Sequence, residues 1–428
     1  MKKGIFIAIA LCIIGALSFG VFSLKGTNNN YLQSEYHDEL IVKGFEGAQG
    51  FTFDQLGNIY VALQDKVFIL DSNRQKKILF ETNGLQVYDL EYLNGRLYYT
   101  CGNMLSYYDL NSKQTDVIID NIPNEGENKT CKILGKDNNI YLAIGAATNS
   151  GIVDERGKQN DIAPKKLILN GRNYNNNTSG PFVQFGRKVE KGQEVQQQNL
   201  GNASIVKIDL DSGKKELYCY GVRNIKGIDY NSEGKVFGVV GGIEDRGFRA
   251  LCGDVDYIYE LKGGETWYGW PDYSGGDPVS SPRFRVEGKA KVNFILSNHP
   301  SNNPPAPFYQ HDTIATLNTI AVDREGVLGD RNSIFTFDNA KGELVNVLKE
   351  GAVSSKVKLY EDANITDIKI QGNELYLLDS DNGYIVKLFK EYKTENDKII
   401  IYCFFLLITI SMIIVLVLKL FLDMKDGK

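Results

Sequence analysis

An apolar run, a turn rich in acidic residues, Asn and Gly, and a second run rich in Tyr and Phe recur six times along the chain. The copies read GFTFDQLGNIYVAL from residue 50, LEYLNGRLYYTCG from 90, CKILGKDNNIYLAIG from 131, GIDYNSEGKVFGVVG from 227, IAVDREGVLGDRNSIFTF from 320 and IKIQGNELYLLDS from 368. Ile, Val, Tyr and Phe alternate with polar residues at the period of a half-buried strand, while Asp, Asn and Gly reverse a chain within a few residues. Each copy predicts a strand, a tight turn and a second strand. Further strands follow most copies, as in KVFILDSN from 66, LSYYDLNS from 105, SIVKIDLDSG from 204, DYIYELKGG from 256 and GYIVKLFK from 383. Four short antiparallel strands make a propeller blade, so the repeat predicts an all-β, six-bladed β-propeller over residues 41–392. Seven blades or an open solenoid also satisfy it.

The alternation gives way to unbroken apolar runs at both ends. Lys2 and Lys3 precede an uncharged stretch from Gly4 to Leu24, so residues 1–25 are expected to be a signal peptide or an N-terminal membrane anchor. No small-residue cleavage site follows, and Leu11 is too large for a lipoprotein box before Cys12, which favours the anchor. Residues 26–40 read as a polar linker. Residues 399–418 carry no charge and, as a helix, would span the roughly 30 Å hydrocarbon core of a bilayer. A transmembrane helix is therefore expected there, followed by a tail at 419–428 bearing Lys419, Lys425 and Lys428. Basic residues beyond both apolar runs place both tails in the cytoplasm and the propeller outside the cell membrane, if the first segment is uncleaved.

Composition narrows the partners. The net charge is −5, and no face dense in Lys and Arg with interleaved aromatics is evident, so nucleic acid is not expected. Of six cysteines, Cys12 and Cys403 lie in the apolar ends. Cys101, Cys131, Cys219 and Cys252 allow three disulfide pairings or four buried thiols, and spacing does not choose. No CxxC pair supports structural zinc.

Two stretches interrupt the repeat. Residues 146–202 are rich in Asn, Gln, Gly and Lys, and residues 241–319 contain EDRGFR from 244, WYGWPDYSGG from 267 and HPSNNPPAPFYQHD from 299. Loops of such length in a compact domain are generally functional or disordered. Trp267, Tyr268, Trp270 and Tyr273 are expected to stack on a sugar or planar cofactor, or else to close a blade as a packed turn. Asp245, Arg246 and Arg249 suit a polyol or an anionic group, or pair with one another on a solvated surface.

These segments, in order, resemble the quinoprotein glucose and sorbosone dehydrogenases. GVRNIKGIDYNSEGKVFG from 221 is similar to the family's GLRNPxGLxFDPxGxLY stretch. CKILGKDNNIYLAIGAATNSG from 131 resembles its FGPDGxLYVxxG strand, and GPFVQFGRKVEKGQ from 180, EDRGFR, WYGWPDYSGGDPVSSPRF and the stretch from His299 resemble a bacterial branch. The likeness covers residues 128–315. It implies a six-bladed propeller that carries pyrroloquinoline quinone and calcium on one face, with a His that takes a proton from a sugar hydroxyl while hydride passes to the quinone. On that likeness Arg223 and Asn224 match the family's Arg-Asn pair, and Arg246 is a further anion grip for the cofactor. Asp256 falls near an acidic residue linked with calcium.

The departures from this pattern are specific. Where the family has its catalytic His, this chain has Glu127-Asn128-Lys129, and its acidic-His-Gly segment is replaced by Val239-Val240-Gly241. Tyr257, Ile258 and Tyr259 follow Asp256 in place of the usual Glu and Asn. Of three histidines, His37 lies in the stalk-like region and His299 and His311 flank the proline run. His311 matches a His of the bacterial branch and is the remaining candidate base, or else it caps a Pro-rich loop. Expected substrate contacts are Asp245, Tyr268 and Trp270. Two readings follow: a membrane-anchored sugar or polyol dehydrogenase, and a non-catalytic propeller that binds a carbohydrate or protein partner at the cell surface.

Overall fold

In a computed structural model the described residues are 36–390, apart from 72–73, 130, 286 and 289–290, together with helical positions between 405 and 421. The alternating runs form six four-stranded antiparallel sheets. Blade one is Ala48–Phe53, Ile59–Leu63, Lys66–Leu70 and Lys76–Glu81; blade two is Val87–Leu93, Arg96–Cys101, Met104–Asp109 and Thr115–Ile119. Blade three uses Ile133–Lys136, Asn139–Ile144, Ser204–Asp209 and Lys215–Tyr220, and Thr266–Trp267 adds to its outer edge in parallel. Blade four is Ile225–Tyr230, Val236–Val240, Tyr257–Leu261 and Tyr309–Gln310. Blade five is Leu317–Asp323, Ser333–Asp338, Glu343–Val347 and Val353–Lys358. Blade six takes Ile365–Gln371, Glu374–Asp379 and Tyr384–Lys390 from the end of the ring and Tyr36–Val42 from its beginning. The polar linker expected to run to residue 40 thus gives its last part to blade six. That pairing closes the ring and covers the edge of Tyr384–Lys390.

Side-chain oxygens cap the inner edges of the sheets. Phe51 N–H donates to Asp367 at 3.0 Å, Tyr92 N–H to the Thr52 hydroxyl at 3.2 Å and Ile133 N–H to Asp89 at 2.8 Å. Val322 N–H donates to Asp229 at 2.8 Å and Ile368 N–H to the Thr319 hydroxyl at 3.1 Å. Each bond crosses from one blade to the next, so amides that no neighbouring strand reaches are satisfied by the adjoining sheet. Gly50 leaves room for this arrangement, since a Cβ there would lie 3.1 Å from an Asp89 oxygen. Lys132 pairs with Asp89 at 3.3 Å and Lys369 with Glu91 at 3.0 Å, so these two buried carboxylates near the axis have cationic partners.

The turns obey the chemistry read from the sequence. Asp323 accepts four backbone N–H groups, from Gly326, Val327, Leu328 and Gly329, at 2.7–3.0 Å. Asn94 and Gly95 both hold left-handed φ values, 50° and 80°, at the turn of blade two. All inner strands start on one side of the ring, here the upper face. Strand pairing puts Tyr36 and Lys390 opposite each other at the other end, the lower face.

No described helix is long and apolar enough to cross a membrane. The segment at 1–25 and nine of the twenty positions of the expected helix at 399–418 lie outside the described residues.

Candidate functional site

The upper face over blades three and four is built by the two interruptions of the repeat, which lock together. Asn149 is the central clip: its amide donates to the Glu244 and Arg246 carbonyls at 2.8 and 3.0 Å, and its Oδ1 accepts from Glu244 N–H at 2.9 Å. Its carbonyl accepts from Arg223 Nε at 3.0 Å and from the Trp270 indole at 3.2 Å. Beneath it Arg249, fully buried, bonds Asp272 at 2.7 Å and the carbonyls of Ser150, Pro271 and Asn293. Asp272 also accepts from Ile295 and Leu296 N–H and meets His299 Nε2 at 3.0 Å. A charge this deep needs such complete pairing. Arg249 and Asp272 therefore act as a knot.

Arg223 lies under this surface, 4 % exposed, with its guanidinium 2.7 Å from Glu244. The same carboxylate meets Arg246 at 2.9 Å, and Arg246 reaches Glu127 at 2.7 Å. The four side chains form a ladder of alternating charge. Hydrogen bonds from Arg246, reinforced by Arg223, hold the Glu244 carboxyl down at about 2. Glu127, the first residue of the Glu127-Asn128-Lys129 stretch, is committed to this ion pair. Asn224 borders the ladder, nine-tenths buried, and its Oδ1 has no hydrogen-bond partner. Gly145 makes space for that oxygen, because a Cβ would come 3.4 Å from it and 2.7 Å from Asn128.

The remaining expected residues divide between face and core. Asp245 sits beside Arg246, exposed. The Asp256 carboxylate is fully buried and accepts from Ala315, Thr316 and Leu317 N–H at 2.8–3.0 Å and from Gly242 N–H at 3.3 Å, with Lys226 at 3.5 Å. Its lone pairs fasten blade four to blade five. Tyr268 and Trp270 are 2 % and 5 % exposed and belong to core clusters, so neither offers a ring face to a ligand. The Tyr268 hydroxyl donates to the Glu260 carbonyl at 2.7 Å and accepts from Lys262 N–H at 2.7 Å. A void of about 20 Å³ between Arg223 and these aromatics has room for one water molecule but not for a sugar ring. The packed-turn alternative describes the Trp-Tyr-Gly-Trp segment: Trp267 extends blade three and stacks on His299. His311 is buried at the seam of blades four and five, with its ring nitrogens 3.0 Å from Asp338 and 3.1 Å from the Tyr309 hydroxyl. His311, Asp312 and Asp338 converge closely enough for a metal, but the Lys341 ammonium stands 2.5 Å from Asp312 and 3.6 Å from Asp338.

Two aromatics not singled out in the sequence lie on this face instead. Phe185 and Phe248 lie parallel with centroids 6.2 Å apart, and Phe185 is 39 % exposed. Phe248 follows Arg246 by two residues, so an apolar surface adjoins the charged ladder. Asp161 was missed as well. It accepts from Ala147 N–H at 2.6 Å and the Thr148 hydroxyl at 2.5 Å, and burial pushes its carboxyl up to about 7.

No protein-family model and no curated protein matches the chain. Solved structures do. The holo PQQ domain of pyranose dehydrogenase from Coprinopsis cinerea superposes with a TM-score of 0.57 at 13% identity, covering 84% of this chain and 97% of its own. A calcium structure of the Trichoderma reesei AA12 carbohydrate-active enzyme gives 0.58 at 14%, covering 85% and 100%. The PQQ-bound aldose sugar dehydrogenase of Streptomyces coelicolor gives 0.53 at 14%, covering 83% and 98%. The fold is that of the quinoprotein sugar dehydrogenases. Six blades, rather than seven or an open solenoid, are thus established.

The residues of this chain do not fit that cofactor. A tricarboxylate needs cations with charge to spare, yet Arg223 and Arg246 are already neutralised by Glu244 and Glu127. A calcium ion needs open carboxylate oxygens, and those of Asp256 are filled by four backbone amides.

Proposed function

We propose that this protein is a membrane-tethered propeller at the outer cell surface that binds a neutral carbohydrate on its upper face and does not oxidise it. The observation that carries this reading is the Arg223–Glu244–Arg246–Glu127 ladder, in which the chain's own carboxylates take up both arginines. Such a surface is rich in hydroxyl-binding groups and near neutral, which suits a polyol better than an anion. Phe185 and Phe248 add an aromatic surface of the kind on which a pyranose stacks, and the unpartnered Oδ1 of Asn224 calls for a donor. The tether is supported by the apolar runs at both ends of the sequence and by the pairing of Tyr36 with Lys390, the ends of the described ring, at the lower face.

A second reading, oxidation of a sugar or polyol with pyrroloquinoline quinone and calcium, is favoured by a fold match that spans 97% or more of the solved dehydrogenases. One comparison separates the two. Full-length protein in neutral detergent is printed against a glycan array and, in parallel, titrated with the quinone and calcium while its absorption spectrum is followed. Binding to a glycan that Phe248→Ala loses, with no bound-quinone spectrum at micromolar concentration, is expected. A stoichiometric quinone complex that sugar reduces would replace this reading with the dehydrogenase.

A further inference from the structure

On the lower face, far from the ladder, a cleft of about 530 Å³ opens between the outer strands of blades five and six. Tyr36, Asp330, Asn346, Ser354, Lys356 and Lys390 are among its walls. Oδ1 of the wall residue Asn346, 4 % exposed, is buried without a hydrogen-bond partner, as is Oγ of Ser333 behind Gly329. Orphaned groups of this kind are costly unless a ligand or water completes them. Gly329 keeps the place open. Its φ is not in the left-handed region, so the glycine is required by space: a Cβ would stand 2.7 Å from Asn346 Nδ2 and 2.8 Å from Ser333 Oγ.

The chemistry of the walls defines an occupant. Asn346 Oδ1 can only accept, so the ligand must carry a hydroxyl or amine donor. Lys356 is exposed on one side and the Lys390 ammonium lies 5.0 Å over the Tyr36 ring on the other; against the one carboxylate of the wall, Asp330, these two cations leave a net positive charge that favours a phosphate. Tyr36 and Lys390 are also where the described ring begins and ends. From Lys390 to the uncharged run at Ile399 an extended chain reaches at most about 30 Å, which keeps this cleft close to any bilayer that the run enters.

We infer that the cleft binds the phosphoglycerol headgroup of an anionic membrane lipid, with the phosphate between Lys356 and Lys390 and a glycerol hydroxyl donating to Asn346. This rests on the tether part of the proposed function, and the test is arranged so that the two fail separately. Carbonate extraction of membranes reports the tether alone. For the cleft, full-length protein stripped of lipid in neutral detergent is offered dioleoyl-phosphatidylglycerol, dioleoyl-phosphatidylcholine or soluble glycerol phosphate, and bound adducts are counted by native mass spectrometry. One phosphatidylglycerol should be retained in preference to phosphatidylcholine. Lys356→Gln should weaken it roughly tenfold, as expected for one lost charge-assisted contact. Asn346→Leu should weaken it as well, with an unchanged melting profile of the Lys356→Gln protein ruling out misfolding. Equal retention of the two lipids, indifference to both substitutions, or preference for soluble glycerol phosphate would overturn the inference.

Discussion

At the scale of single residues, the ladder makes Glu244 a neutralising group for a buried cation. Burial opposes the charge of Arg223, and Glu244 offsets that cost. Glu244→Gln should therefore lower stability by about 2 kcal/mol, less than the roughly 3–5 kcal/mol for breaking a fully buried pair because Glu244 is itself partly exposed. The same variant should gain affinity for sulfate, read as a rise in melting temperature with added salt that the wild type lacks. An unchanged melting temperature in Glu244→Gln would mean that Arg223 finds another partner. Asp161 gives a second prediction with a definite sign. Its folded carboxyl titrates near 7, above the ordinary 3.8, so the fold favours the protonated form. Its contribution is fully present below pH 3.8 and is lost as pH rises toward 7, on the order of 4 kcal/mol in all. Glu244 works in the opposite sense, contributing above its ordinary value of 4.5 and losing that as pH falls toward 2. Urea titrations at pH 4 and pH 7 should show Asp161→Asn losing less stability than wild type across that interval. These pairings were only partly legible beforehand. EDRGFR announced acid and base side by side, but Glu127 lies more than a hundred residues away, and only the packing of blade three beside blade four brings it to Arg246.

At the scale of the elements, the sequence was most informative where the chemistry is local. The turn at Asp323 and the Asn94-Gly95 reversal need only neighbours within a few positions, and both were readable. The fate of the Trp-Tyr-Gly-Trp segment was not, because an aromatic cluster looks the same in sequence whether it faces solvent or another loop. Arg249 and Asp272 decide it by pulling the segment down onto residues 149–151, a contact that no local pattern encodes. The closing strand likewise begins earlier than the polar character of residues 26–40 suggested. Tyr36 to Val42 alternate weakly, and what holds them is the edge of Tyr384–Lys390. Removing residues 36–42 should thus expose that edge and open the ring. The expected result is aggregation and a broadened, multi-step urea transition in place of a single one. A soluble protein with one sharp transition would show that the first strand is dispensable.

At the scale of the whole molecule, the two faces are divided by the direction of the inner strands, with the ladder and the aromatic pair above and Tyr36 and Lys390, the ends of the described ring, below. A tether attached at the lower face would present the upper face to the exterior, and that arrangement is open to chemical labelling. Three of the described thiols interfere little: Cys101 and Cys131 are buried, which pushes their thiols up to about 11 and 12, and Cys219 is shifted in the same direction. Since the thiolate is the reactive form, such groups react slowly near neutral pH. A cysteine placed at the exposed Lys188, on the insertion that carries Phe185, should therefore give a clear signal. In intact cells Lys188→Cys is expected to react with a membrane-impermeant maleimide within minutes, whereas Gly427→Cys in the basic tail should react only after the cells are broken. The reverse pattern would turn the propeller inward, and equal labelling before lysis would place both ends outside. Because a carbohydrate at the cell surface can reach only an outward ring, inward orientation would also end the binding reading, independently of any array.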